Sequence, residues 1–318
     1  MPPVPMRRPD LSTWFRTPDY ARYELFLIRG LFALVIWDAM PSAITVPSDP
    51  QPVGLGYWID FSFLAQPQTL AASRWVLAGC LLLSTAGYFL CLALPIILLL
   101  LTAAGTIGAS FGATTHSKQI IVLCVLAQAA WYGYAAIRKR KIGLVEHRFG
   151  AFAGAQAIAA AYVISGISKL AGDGNWLVDA VKNFQIQATK NQRMKYYNAL
   201  SEETAESGSG LQGVLHSVLS PLLSTIEYLL LNSPIWRALF LGGGFMLELF
   251  AFLALIGRKM SLLVGGSLVL FHLTVFEIMG LRFRYNIYLL LIFMVGVPYW
   301  IATAIAAARR SRHLTQLD

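Results

Sequence analysis

Lys169 is the side chain in this sequence with the clearest chemical potential. It lies near the end of the stretch 162–176, YVISGISKLAGDGNW, which begins as an apolar helix and ends in a Gly-Asp-Gly turn and a tryptophan. An ammonium group is costly to keep in hydrocarbon, so a lysine at such a place either reaches the membrane surface or gives up its proton. Lys169 is therefore either an interfacial anchor or a functional amine, and we keep both interpretations open.

Further ionisable residues fall inside apolar segments. Asp38 follows Trp37, Glu248 follows three glycines, and His272 follows Phe271. Taken singly, each is explained as a group that completes a hydrogen bond between helices. Arg29 is about 13 Å from Asp38 along a helix, so Asp38 needs a partner from another helix. Because several such residues converge on one level of the bundle, we expect a buried polar pocket there.

The composition indicates an all-α integral membrane protein. Hydrophobic residues make up 57% of the chain and charged residues 13%, with a mean hydropathy of +0.60, whereas soluble domains carry about 25% charged residues. The net charge of +9 is concentrated in short runs between apolar segments, which is typical of topology signals rather than of nucleic-acid binding. The cysteines have neither metal-ligand nor disulfide spacing, so no metal site and no disulfide are predicted.

The apolar segments predict eight transmembrane helices, with Pro95 at the turn between the second and the third. The small residues of the fifth span predict a central helix that its neighbours approach closely. Residues 178–231 are predicted to form a small extracytoplasmic helical cap, in which 211–231 is an interfacial or re-entrant helix because it contains His216, Pro221 and Glu227. The eight predicted spans are 24–44, 74–92, 93–112, 119–137, 148–169, 235–256, 261–281 and 285–307.

The distribution of basic residues predicts the orientation. With eight spans, both termini and the basic runs at 138–141, 258–259 and 309–312 all lie on the cytoplasmic side. Lys169 then lies at the extracytoplasmic end of its helix. His116, Asp38, Arg282 and Arg284 lie toward the same face, where the two arginines are candidates for binding an anion or lipid headgroups. The first apolar segment lacks a cleavage motif and is expected to remain in the mature protein.

Five motifs together resemble a known family. They are IRGLFALVIWDAMPSA at 28–43, His116-Ser117, YVISGISKL at 162–170 followed by Trp176, the three glycines 242–244 with Glu248, and Phe271-His272. In this order they resemble the transmembrane domain of vitamin K-dependent gamma-glutamyl carboxylase and its bacterial relatives, the HTTM (horizontally transferred transmembrane) proteins. The resemblance covers most of 1–318, implies a single transmembrane domain, and suggests a bacterial inner or plasma membrane.

The resemblance implies a chemistry for these residues. Lys169 would be the base that deprotonates a reduced quinone, such as vitamin K hydroquinone or menaquinol, in a quinol-dependent oxygenase or carboxylase-like (lyase) reaction on a glutamate. His116 and His272 would hydrogen-bond the quinol oxygens or developing oxyanions, and Asp38, Trp176, Glu248, Arg282 and Arg284 are candidates for binding the cofactor. The sequence departs from the carboxylase pattern in ending at Asp318 without a C-terminal soluble domain, and in the arginines of MGLRFRYN.

Two classes of function stay open at this point. The first is an enzyme that uses a quinol through Lys169. The second is a non-enzymatic maturation or export factor, or an accessory subunit of a membrane complex. The expected partners are membrane lipids and either a peptide or protein substrate or a partner subunit, without nucleic acid. A transporter is disfavoured because the sequence contains no inverted repeat and no paired broken helices.

Overall fold

A computed structural model describes residues 19–44, 54–110, 116–171, 176–200 and 225–314, apart from the side chains of 116, 176, 195–200 and 309–314. Every regular element in these ranges is helical, with short 3-10 turns at Gly54–Tyr57, Ser62–Ala65 and Ala251–Leu255. The α-helices are α1 (Arg22–Ala39), α2 (Pro67–Ala86), α3 (Leu90–Ser110), α4 (His116–Ile137), α5 (Leu144–Ala171), α6 (Trp176–Leu200), α7 (225–232), α8 (Pro234–Leu249), α9 (Arg258–Met279), α10 (Arg284–Phe293) and α11 (Val297–Leu314).

The helical membrane character is confirmed, but the count of eight spans is wrong. Within the described ranges, five helices are long and apolar enough to cross a membrane, namely α2, α3, α4 from Ser117, α5 and α9. The pair α10 and α11 adds a sixth span if it is counted as one broken helix, since its two parts meet at a bend of 47°.

The three missing spans have separate physical reasons. Helix α1 carries four charged residues in 18, too many for a simple apolar span. Helix α8 ends at Leu249 after 16 residues, about 24 Å, which is short of a hydrocarbon core of about 30 Å. The last predicted span is interrupted between Phe293 and Val297. Continuous apolar composition therefore conceals two helix breaks.

The turn between α2 and α3 also differs from the prediction. It lies at Gly87, whose φ of 84° ends α2 in the left-handed conformation that glycine adopts without strain. Pro95, predicted to mark this turn, instead lies in the second turn of α3. Membrane helices tolerate an internal proline because neighbouring groups satisfy the freed backbone carbonyl.

Helix α5 is central to the bundle, as its small residues predict. It packs against α1, α4, α8 and α10. At Gly166 a Cβ would lie 3.2 Å from the backbone of Leu249, so the two helices approach backbone to backbone. This close approach brings the last turn of α8 beside the last turns of α5, where Lys169 lies.

The polar helix α6 docks on the bundle through one apolar face. Phe184 and Ala188 are fully buried in a small second core with Leu241 and Ile278. The Asn191 side chain donates hydrogen bonds to two backbone carbonyls in the last turn of α9, at 2.9 and 3.1 Å. Helix α6 thus follows the fifth predicted span. Most of 211–231 lies outside the described residues, so the interfacial placement of that segment stays a prediction.

The contacts define two ends of the bundle. Glu24 of α1 and Arg258 of α9 meet at one end, here called the Arg258 end. Asp38 of α1 and Arg284 of α10 meet at the other, here called the Lys169 end because α5 finishes there. The predicted site residues Lys169, Asp38 and Arg284 therefore lie at the Lys169 end. The side of the membrane that this end faces stays a prediction.

Candidate functional site

The amine of Lys169 forms an ion pair with the carboxylate of Glu248 from α8. The Ser165 hydroxyl donates to the same carboxylate oxygen at 3.2 Å. The side chain of Lys169 is 24% exposed and that of Glu248 is 9% exposed. Lys169 is therefore held toward the bundle by a buried acid.

Helical spacing explains why α5 presents three polar groups together. Tyr162, Ser165 and Lys169 stand at positions i, i+3 and i+7, which fall on one face of a helix. That face is turned to α8 and α9, which supply Glu248 and His272. The glycine at 166 removes the side chain that would otherwise keep α8 away from this face.

His272 is buried within a second set of hydrogen bonds. Its Nε2 lies 2.6 Å from the Tyr162 hydroxyl, and the Asn286 amide donates to that hydroxyl at 3.2 Å. We infer that the Tyr162 hydroxyl donates its proton to Nε2, which places the ring proton of neutral His272 on Nδ1. The ring of Phe283 packs beside the imidazole, with centroids 4.7 Å apart.

Two buried atoms of this set have no hydrogen-bond partner among the described residues. They are Nδ1 of His272 and Oδ1 of Asn286. Buried polar atoms are usually paired, so each exception needs an explanation such as a ligand or an ordered water. With the protonation inferred above, His272 offers an unused donor and Asn286 an unused acceptor.

The two sets of contacts form one cluster. Tyr162 contacts His272, and Ser165 contacts Glu248. Tyr162 and Ser165 lie three positions apart on one face of α5, so the two sets are neighbours. We call Tyr162, Ser165, Lys169, Glu248, His272 and Asn286 the Lys169 cluster. His272 lies about 10 Å from the end of α9, so the cluster extends inward from the bundle end.

Asp38 finds the partner from another helix that its position predicts. Its carboxylate pairs with Arg284 at 2.8 Å, and both side chains are about half exposed. The Arg284 guanidinium also donates to the Tyr285 hydroxyl, which donates to the Asp38 carbonyl at 3.1 Å. This pair adjoins the Lys169 cluster through the first turn of α10, since Asn286 follows directly.

Three predicted site residues, Arg282, His116 and Trp176, have no described contact with the Lys169 cluster. Arg282 is exposed in the turn before α10. His116 and Trp176 begin α4 and α6, but their side chains lie outside the described part of the structure. Of the predicted trio Lys169, His116 and His272, the structure thus brings Lys169 and His272 together, and the roles of His116, Trp176 and Arg282 stay predictions.

Some residues of the cluster were not singled out as site residues from the sequence. Tyr162 and Ser165 bridge the acidic and imidazole groups, and Asn286 and Phe283 complete the surroundings of His272. Two signals in the sequence point to them. One is the i, i+3, i+7 spacing that ends at Lys169, and the other is an asparagine inside an apolar segment, where polar side chains are costly.

The described ranges contain no candidate metal site, because no three His, Cys, Asp or Glu side chains come together there.

Comparisons of the chain with family models, with curated proteins and with solved structures find no match. The resemblance to the carboxylase-like membrane proteins therefore stays a prediction from the sequence motifs.

Proposed function

We propose that this membrane protein binds a reduced quinone, or a similar lipid-soluble hydroxyaromatic cofactor, at the Lys169 cluster, and that Lys169 acts there as a base. The observation that carries the proposal is the combination of a largely buried lysine–carboxylate pair with two unpartnered atoms, His272 Nδ1 and Asn286 Oδ1. On the positive-inside pattern, this end of the bundle faces the extracytoplasmic side.

The residues fit such a cofactor in chemical type. A quinol hydroxyl both accepts and donates a hydrogen bond, which matches an unused N–H on His272 and an unused carbonyl oxygen on Asn286. Phe283 beside His272 offers an aromatic surface for a ring. An apolar helical bundle also admits a ligand that is dissolved in the bilayer.

The Lys169–Glu248 pair can supply the base. An amine at this place would accept a proton from a hydroxyl of the cofactor, and the carboxylate of Glu248 would be the counter-ion of the resulting ammonium. The Ser165 hydroxyl, which donates to the carboxylate, positions Glu248 for this role.

The neighbouring groups would orient a cofactor and stabilise charge on it. A bound quinol supplies an acidic hydroxyl whose ionised form reacts with oxygen. Tyr162 and Asn286 fix the imidazole of His272 in one tautomer. Its Nδ1–H is then available to donate to an oxygen that becomes negatively charged.

The test is to extract and identify the lipids that copurify with the protein, and then to measure oxygen uptake with menaquinol and with vitamin K hydroquinone. We expect a bound quinone and quinol-dependent uptake that His272→Gln lowers. Lys182→Met, which replaces an exposed lysine of α6, serves as the control and should leave uptake unchanged. Absence of both a bound quinone and any uptake would overturn the proposal in favour of a maturation factor or accessory subunit.

A further inference from the structure

A cavity of about 330 Å³ lies at the Arg258 end, far from the Lys169 cluster. It opens where α10 stops and α11 leaves at an angle, between α1, α5, α9 and the Ala251–Leu255 turn. Its walls are mainly apolar, with Phe152, Leu255, Leu262, Phe293 and Met294 among them. The cavity is as large as a small-molecule pocket.

More than half of the polar side chains in the walls are hydrogen-bonded within the protein. Arg258 donates to both oxygens of Glu24, at 2.8 and 2.9 Å. The Ser261 hydroxyl donates to the Met294 carbonyl, and the Trp300 indole donates to the Val295 carbonyl. The cavity therefore offers an apolar ligand surface and makes little demand for hydrogen bonding.

Lys259 is the cavity-lining cation without an acidic partner in the described ranges. It is exposed. It also belongs to the end of the bundle at which the basic runs 138–141 and 258–259 lie. The rim of an apolar cavity thus carries a free positive charge.

We propose that this cavity binds an anionic phospholipid, with an acyl chain against the apolar walls and the phosphate at Lys259. The walls match a hydrocarbon chain, and the lysine complements a negative headgroup. Trp300 and Tyr299 line the same cavity, and amphipathic aromatic rings commonly sit at the level of lipid headgroups. Arg258 pairs with Glu24 and lies 4.2 Å from the centre of the Tyr299 ring, so it joins α1, α9 and α11 in one wall.

The experiment compares lipid retention by native mass spectrometry after equilibration with vesicles of phosphatidylglycerol or phosphatidylcholine of matched chain length. We expect preferential retention of phosphatidylglycerol. Lys259→Gln should lower that preference about fivefold, the factor that one lysine contributes near an anionic surface. Lys141→Gln removes an exposed cation outside the cavity and should leave the preference unchanged.

A second variant tests the acyl chain. Leu262 lines the cavity and is 40% exposed, so Leu262→Trp should fill part of the space without disturbing the core. We expect it to reduce retention of both lipids. Unchanged retention in Leu262→Trp, or equal losses in Lys259→Gln and Lys141→Gln, would overturn the proposal. Displacement of the lipid by inorganic phosphate alone, whatever the chain length, would overturn it in favour of a free-anion site.

Discussion

The two ends of the bundle each contain a buried carboxylate paired with a cation from another helix, yet the two pairs are built differently. At the Arg258 end, the side chain of Glu24 is 3% exposed, and at the Lys169 end that of Glu248 is 9% exposed. Composition alone gives no reason to treat them differently, because both acids lie in apolar segments, although only Glu248 belongs to the motifs singled out in the sequence. Their surroundings separate them.

Both oxygens of the Glu24 carboxylate have hydrogen-bond partners within the protein. Both accept from Arg258, and one also accepts from the Ala21 backbone amide. The guanidinium lies near the rings of Tyr20 and Tyr299, at 5.4 and 4.2 Å from their centres. A bidentate pair with aromatic contacts of this kind holds α1 and α9 together. We call the Glu24–Arg258 pair the structural clamp.

The Glu248 carboxylate at the Lys169 end has fewer contacts. It pairs with Lys169 and accepts a hydrogen bond from Ser165. It adjoins His272 and Asn286, each of which has a buried atom without a partner in the described ranges. The comparison teaches that burial of an ion pair does not by itself distinguish structure from function. The state of the neighbouring polar atoms makes that distinction.

Arg258→Met should produce the largest effect on stability. It leaves the carboxylate of Glu24 buried without its cation, which costs about 3–5 kcal/mol in the free energy of unfolding. Thermal unfolding of the purified protein in detergent measures the loss. The double variant Glu24→Leu with Arg258→Met should recover most of it, and a double variant as unstable as the single one would contradict the clamp.

Lys169→Met should affect activity more than stability. We expect a loss of at least about 100-fold in quinol-dependent oxygen uptake, the lower range for removal of a proton-transfer group, which corresponds to about 2.7 kcal/mol. The loss of stability should be smaller than for Arg258→Met, because the carboxylate left behind, Glu248, is less completely buried than Glu24 and keeps its hydrogen bond from Ser165. If the order is reversed, with full activity and a large loss of stability, Lys169 is a second clamp.

Tyr162→Phe should have an intermediate effect. It removes the hydroxyl that joins His272 to Asn286 and leaves buried partners unpaired, at a cost of about 1–3 kcal/mol. Denaturant or thermal unfolding measures this cost, and Tyr134→Phe at an exposed site on α4 is the control. A change no larger than that of the control would show that the hydroxyl bridge contributes nothing.

Asp38→Asn should have the smallest effect. Its pair with Arg284 is about half exposed on both sides, and exposed ion pairs contribute less than about 1 kcal/mol. A shift in unfolding free energy close to that of Arg258→Met would mean that Asp38 belongs with the clamp. A loss of cofactor binding without loss of stability would instead support the predicted role of Asp38 in the site.

Local sequence patterns predicted much of the fold. Apolar length and the small residues of α5 predict a helical membrane bundle with α5 at its centre, and charge in an apolar segment points to Lys169, Glu248 and His272. The break after Leu249 was not predicted, because the sequence there stays apolar. The break after Phe293 has a local signal, since Gly296, whose φ is 74°, and Pro298 follow it and both residue types interrupt helices.

The sequence by itself determined the chemical inventory: which segments are helical and apolar, and which ionisable side chains they carry at a cost. Tertiary structure alone decided the pairings, since Glu248 meets Lys169 and His272 meets Tyr162 across 79 and 110 residues of chain. The physical reason is that helix formation and membrane partition depend on local composition. Whether a buried charge becomes a clamp or a reactive pair depends on which atoms distant helices bring against it.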